Sequence, residues 1–339
     1  MGIVSDNPRK HSERKAVIMK ICVVGCGRWG SLITWYLAEK KGLDVTLYGR
    51  ESSEHMQKFL SERRNDLLTL PDSVKLVTSL DALKDADVIV ISINSQGLSA
   101  FMQELRPLEL KNKIFVLCMK GIEISTGRRL SEVAQAACDE SNKVAVWIGP
   151  GHVQEFYAGT PNCMVIDSND EETKRLLVNS FSSELIRFYY GEDMIGNEIG
   201  AAAKNVIGIA AGMLDGHNLS TLKGALMSRG CREVARLINA MGGNELSAYG
   251  LCHLGDYEAT VFSRFSHNRA FGEMFVKGEK LDKLAEGYYT VKALMELSRE
   301  YAVDMPICRA VYDIIYEGKD AKETFANLFG RSIKTEFYK

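Results

Sequence analysis

The sequence predicts an open α/β sheet of the doubly wound type, followed by an all-α C-terminal region. Three observations predict it. Short apolar runs alternate with helical patterns from Lys20 to about residue 190. The first run leads straight into a glycine-rich turn, Gly25-Cys26-Gly27-Arg28-Trp29-Gly30. From about Glu192 the texture changes to apolar residues at 3.6-type spacing with few β-branched runs.

Residues 21–24 (Ile-Cys-Val-Val) stop at Gly25, as a strand buried on both faces does. Within 28–40, Trp29, Leu32, Ile33, Tyr36 and Leu37 recur at helical spacing. Residues 45–48 read as the second strand. Residues 88–93 and 114–119 are further apolar strands, each after a short polar segment, and 144–148 ends at Gly149-Pro150. Strands alternating with helices give a parallel sheet. Helices are expected over 195–214, 221–241, 271–276 and 288–302. No proline between Pro161 and Pro306 interrupts them. The expected division is a loose tail over 1–18, a sheet domain over 19–190 and a helical domain over 191–339.

With 339 residues the chain has room for two domains of roughly 150 each. Hydrophobic residues make up 46% and charged residues 25%, the mix of a soluble globular protein. A net charge of −2 gives no global attraction for nucleic acid or an anionic membrane. An anionic ligand must then be held by local cations and backbone N–H groups. Residues 1–18 lack the apolar core of a signal peptide. No stretch reaches the about 20 apolar residues of a membrane span. The eight cysteines form no C-x-x-C pair, and Cys22 and Cys118 sit in apolar runs. They read as reduced thiols of a cytoplasmic protein. Cys22 and Cys26 have no histidine or second cysteine pair at a zinc spacing, so no metal is expected.

The glycine turn is G-x-G-x-x-G, a weak signal alone. Its place between an apolar strand and an amphipathic helix makes it a Rossmann-type dinucleotide loop. Gly25 permits the tight turn, Gly27 lets a pyrophosphate approach the backbone, and Gly30 lets the helix pack close to the strand. The helix start adds N–H donors and partial positive charge. The competing reading is a glycine-rich turn with no ligand. Beyond the second strand stands Tyr48-Gly49-Arg50-Glu51, where an NAD site usually has an acidic residue. Arg50 can face a 2′-phosphate, stack on adenine, or be a solvated loop arginine. Arg50 and the late position of Glu51 favour NADP tolerance, with NAD also open.

Three clusters carry the chemistry. Lys120 ends a sheet strand, the edge where open α/β sheets bind ligands; otherwise it is a surface lysine. Lys204 and Asn205 lie on a helix of small and apolar residues, Gly200-Ala201-Ala202-Ala203 before them and Val206-Ile207 after. A lysine there is costly without a partner. Partial desolvation lowers its pKa towards a value useful for proton transfer. Snorkelling to the surface is the plain alternative. Asp256, after Gly255, is a candidate partner for Lys204, and Asn268 and Arg269 are candidate phosphate contacts. Each can also be an ordinary loop or cap residue.

Taken together these residues resemble the bacterial-type NAD(P)-dependent glycerol-3-phosphate dehydrogenase family, from about Lys20 to residue 330. The matching pieces are the glycine loop, Lys120-Gly121-Ile122-Glu123, Gly149-Pro150 and the run from Glu198 to Ile207. Leu254-Gly255-Asp256, Asn268-Arg269, Glu286-Gly287 and Met305-Pro306-Ile307 match as well. The Lys204 and Gly-Asp blocks at this separation are the specific ones.

The resemblance implies hydride exchange between NAD or NADP and dihydroxyacetone phosphate, supplying a glycerophospholipid precursor. Lys204 becomes the general acid/base, Lys120 a substrate contact near the cofactor, and Asp256 the residue that orients Lys204. Substrate contacts fall on Gly149, Gly151, Asn205, Ser266, His267, Asn268 and Arg269. Cofactor contacts fall on Gly25, Gly27, Arg28, Trp29, Gly30, Arg50, Lys120, Val153, His267, Leu284 and Glu286. It also implies a homodimer. Three departures stand out. His267 occupies the position of the family's arginine and lacks its bidentate fork. Gly151 replaces a serine, and Ile93-Asn94-Ser95 replaces a Pro-Ser turn. Arg269 or Arg264 can compensate for His267. The departures keep two other readings open: a related dehydrogenase of another small hydroxy acid or sugar phosphate, and a non-catalytic dinucleotide sensor.

Overall fold

The computed structural model describes residues 19–279, 285–333 and 335–336. The expected tail over 1–18, and Leu284, lie outside the described residues. The sheet is built from β1 (Lys20–Val24), β2 (Asp44–Tyr48), β3 (Lys75–Val77), β4 (Val88–Ile91), β5 (Ile114–Leu117), β6 (Lys143–Ile148), β7 (Asn162–Ser168) and β8 (Ile186–Tyr190). Between them run α1 (Arg28–Trp35), α2 (Glu54–Glu62), α3 (Leu98–Leu105), α4 (Leu130–Ala137), α5 (Val153–Tyr157) and α6 (Glu171–Phe181). The strand order is β3-β2-β1-β4-β5-β6-β7-β8. Its first six strands have the Rossmann order, with the switch point between β1 and β4.

Burial explains why these runs are strands. All four residues of β4, Val-Ile-Val-Ile, are buried. Side chains alternate between the two faces: Ile21 and Val23 join Leu32 and Tyr36 on one side, while Cys22 and Val24 join Leu98 and Phe101 on the other. One expectation needs correction. The sheet is not wholly parallel, because β7 runs antiparallel to β6. A five-residue helix connects them, beside a six-residue β6. Such a helix spans about 8 Å against about 20 Å for the strand, too short for a parallel crossover.

The helical half comprises α7 (Met194–Gly216), α8 (Lys223–Ala240), α9 (His267–Val276), α10 (Glu286–Glu300), α11 (Pro306–Tyr316) and α12 (Ala321–Phe329). Two of these, α11 and α12, were not singled out from the sequence; α11 opens on Pro306, a favoured first helical residue. Helix α7 is buried all round from Gly196 to Leu214. Its small residues allow backbone-to-backbone packing. A Cβ on Gly212 would lie 1.9 Å from the Arg269 carbonyl oxygen, and one on Gly272 of α9 would lie 2.0 Å from that of Ile209.

Two buried carboxylates bolt the first turn of α7 to the sheet half. Asp167 accepts from the Asp193 N–H (3.0 Å) and Asn197 Nδ2 (2.8 Å). Glu198 accepts from the Ser131 N–H (2.9 Å), Ser131 Oγ (2.5 Å) and Arg129 Nη1 (2.8 Å). Lys204 follows six residues later, about 9 Å along the same rigid helix. All eight cysteines are free, six of them buried. Among the described residues no helix is long and apolar enough to cross a membrane.

Candidate active site

The glycine turn after β1 has the shape its residue types suggest. Gly25 has φ +106°, and a Cβ there would lie 2.2 Å from the Ser92 carbonyl oxygen. A Cβ on Gly30 would lie 1.9 Å from the Gly25 carbonyl oxygen. Gly25 and Gly30 are thus demanded by packing. Gly27 faces open space, with nothing within 4 Å of an added Cβ. It is also the N-cap of α1 and provides no side-chain cap. The first-turn N–H groups therefore lack a capping side chain, which suits a bound pyrophosphate. The residues present fit a dinucleotide.

Past this turn the cleft deepens into a space of about 250 Å³ lined by Trp29, Ser92, Met119, Lys120, Gly151 and Glu286. Trp29 packs on Phe156, ring centroids 6.0 Å apart. Val153 opens α5 and is buried beneath them in the sheet-side core. Arg28 leaves the glycine turn and bridges the halves: Nη1 lies 3.3 Å from His267 Nε2, and Nη2 donates to Gln154 Oε1 at 3.3 Å. Arg50 donates to Glu104 Oε1 of α3 at 2.7 Å.

The chemical centre lies where β5 and β6 end against α7. Lys120 Nζ donates to the Gly149 carbonyl (2.7 Å) and to Asp256 Oδ2 (2.5 Å). Lys204 Nζ lies 3.0 Å from the same Oδ2 and donates to Thr260 Oγ1 at 2.8 Å. Thr260 Oγ1 in turn donates to the Asp256 carbonyl at 2.7 Å. Asp256 is 1% exposed and Lys204 8%. Burial pushes the Lys204 ammonium down to about 8; Asp256 opposes the shift and Lys120 adds to it. Burial pushes the Glu286 carboxyl up to about 7, against the pull of Lys204 and Lys120.

Beside Asp256 in the chain, His253 and Tyr257 form a buried brace to α7. The buried His253 ring is pushed down to about 4 by burial, so it is neutral. The Gly200 carbonyl, 2.8 Å from Nδ1, can only accept, so Nδ1 carries the hydrogen. Tyr257 then donates to the bare Nε2 at 2.7 Å. Sequence reading did not single out this brace. The available signal was the i, i+4 spacing of His253 with Tyr257 and of Asp256 with Thr260.

The structure brings some expected contacts together and not others. Asn268 Nδ2 donates to Asn205 Oδ1 (3.0 Å), and its Oδ1 accepts from the Gly287 N–H (2.9 Å). Ser266 caps α9 by accepting from the Arg269 N–H. Arg269 is a correction. It pairs with Asp215 (2.8 Å) and Glu273 (2.9 Å), eleven residues and roughly 16 Å along α7 from Lys204. It is engaged by these carboxylates, and Arg28 lies beside the His267 ring. The Gly151 departure has a local cause. Its φ is +138°, and a Cβ would lie 2.2 Å from the Phe156 ring.

A phosphate-cradling turn opposite a buried amine with a lowered pKa is suited to moving a hydride and a proton to one substrate. In class, the fold and site are those of a dinucleotide-dependent oxidoreductase. Family models agree at both ends. Residues 20–174 match the NAD-dependent glycerol-3-phosphate dehydrogenase N-terminus, and residues 193–326 match its C-terminus. The glycerol-3-phosphate dehydrogenase [NAD(P)+] of Chlorobium limicola is 36% identical over 335 residues, covering 94% of this chain and 100% of the relative. The Fusobacterium nucleatum protein of the same name is 32% identical, at 94% and 99% coverage. The crystal structure of glycerol-3-phosphate dehydrogenase from Coxiella burnetii superposes with a TM-score of 0.85 at 28% identity, covering 92% of this chain and 99% of that one. This chain belongs to the NAD-dependent glycerol-3-phosphate dehydrogenase family.

Proposed function

We propose that the protein interconverts dihydroxyacetone phosphate and sn-glycerol 3-phosphate, with Lys204 as the general acid/base. NAD(P)H held at the glycine turn of residues 25–30 would supply the hydride that the C2 carbon of the ketone needs. The Lys204 ammonium gives its proton to the C2 oxygen, so the ketone becomes a secondary alcohol and the amine takes a new proton from solvent. Oxidation reverses both transfers. Asp256 and Thr260 hold the Lys204 nitrogen in place, and Lys120 shares the same carboxylate at the end of β5. Asn205, Ser266, His267 and Asn268 are proposed substrate contacts, with Arg28 beside His267 as the phosphate-side cation.

The observation that carries this reading is the Lys204–Asp256–Lys120 cluster, buried at the foot of the cleft that Trp29 and Glu286 line. A steady-state assay of dihydroxyacetone phosphate reduction, run with NADH and with NADPH, tests it. Turnover with either cofactor supports it. Turnover only of another ketone would transfer the same machinery to a different substrate.

The domain division proposed is 19–190 and 191–339, supported by the end of β8 at Tyr190 and the start of α7 at Met194. A cytoplasmic homodimer supplying phospholipid precursors fits the family. Exposed Leu246 (66%) and Phe329 (69%) of the helical half are apolar surface available to a subunit interface. Sedimentation of the purified chain checks the dimer.

A further inference from the structure

We propose that Glu104 sets the preference between the two nicotinamide cofactors by holding the Arg50 guanidinium against α3. The inference rests on the dinucleotide reading above and names a residue that reading leaves without a role.

Arg50 stands two residues past the end of β2, the edge where this sheet type meets the adenosine ribose. A cation there is the usual partner of a 2′-phosphate. In this chain its Nη2 is 2.7 Å from Glu104 Oε1. Glu104 comes from α3, which follows β4, and β4 lies next to β1 on the side opposite β2. The pair therefore spans the switch point. Both groups also act on the Tyr48 hydroxyl: burial raises its pKa first, Arg50 lowers it and Glu104 raises it. The three side chains form one electrostatic cluster.

The neighbouring charges point the same way. Glu51 adjoins Arg50, Glu54 lies four residues on, and His55 is the remaining titratable group before Gln57. Glu104 is the carboxylate in contact with the Arg50 guanidinium. A 2′-phosphate brings roughly two further negative charges. It meets Arg50 beside the Glu104 carboxylate and is repelled by it, whereas a 2′-hydroxyl is not. The pair is exposed, 62% and 42% at the side chains, so its own contribution to stability is small. One substitution should therefore change cofactor choice without unfolding the protein.

The test is equilibrium titration of the full chain with NADH and with NADPH, read by nicotinamide fluorescence without substrate. Wild type is expected to bind NADH more tightly. Glu104→Gln should tighten NADPH binding about 5–10-fold and change NADH binding less than about twofold. The gain should vanish in the double variant Glu104→Gln/Arg50→Ala. Equal effects on the two cofactors, no effect on either, or a gain that persists without Arg50 overturns the role of Glu104 alone. A wild type that binds neither cofactor overturns the dinucleotide reading, and this proposal with it.

Discussion

Lys204 Nζ lies 3.0 Å from Asp256 Oδ2, and the same oxygen takes Lys120 Nζ at 2.5 Å. One carboxylate thus faces two ammonium groups inside the protein. Coulomb attraction to Asp256 favours the Lys204 ammonium, yet burial outweighs it and brings its pKa down to about 8. The second lysine matters here, because it uses part of the carboxylate's field and repels the first. The arrangement makes a proton donor that can be recharged near neutral pH.

Replacing Lys204 with methionine should therefore separate chemistry from folding. We expect kcat to fall by about 10²-fold or more while cofactor affinity stays near wild type. The thermal midpoint at pH 7 should not drop, because a buried charge has been exchanged for an apolar chain of similar length. Kinetics and thermal melts on one preparation check both. Undiminished turnover would remove Lys204 from the mechanism.

Gly151→Ser should be destabilising, although it restores the family's usual hydroxyl. The φ of +138° is unfavourable for any side chain, and the Phe156 ring already occupies the Cβ position. A loss of about 1–3 kcal/mol is expected from such strain. A lower midpoint in denaturant would show it. An unchanged midpoint together with a lower KM would mean that the turn rearranges readily.

Glu286 should make stability depend on pH. Burial raises its carboxyl from 4.5 to about 7. Between those values the folded protein keeps a proton that the unfolded chain has lost. The stability present below 4.5 is therefore lost as pH rises through about 7. Glu286→Gln should flatten the change in melting temperature across that window. A slope identical to wild type would assign the dependence elsewhere.

His267→Arg tests the phosphate side. Its Nε2 sits 3.3 Å from Arg28 Nη1, so an arginine there would place two guanidinium groups side by side. We expect a lower KM for the phosphorylated substrate and a lower melting temperature without it, with stability recovered on adding substrate. A higher KM would mark the histidine as a specificity element.

Much of this was legible in the residues. A short apolar run and a glycine turn between strand and helix are local signals, and they located β1, α1 and the cofactor turn. Lys204 stood out because a lysine within Gly-Ala-Ala-Ala and Val-Ile needs a buried partner. Other features depend on contacts distant in sequence. The antiparallel β7 goes with a connecting helix of five residues, too short to run back along β6, and seeing this needs the true ends of the elements. Arg269 reads as a phosphate ligand in the sequence, yet it pairs with Asp215, 54 residues away on α7. The backbone at Gly151 is set by the position of Phe156. Arg50 gave no hint of Glu104, 54 residues away.

The central claim is that one amine titrating near 8 carries the proton. Its most direct test is kcat/KM against pH for both directions of the reaction. Ketone reduction should decline above about pH 8, as Lys204 loses its proton, and alcohol oxidation should decline below it. Flat profiles through that region in both directions, or both rates falling on the same side of it, would contradict the account.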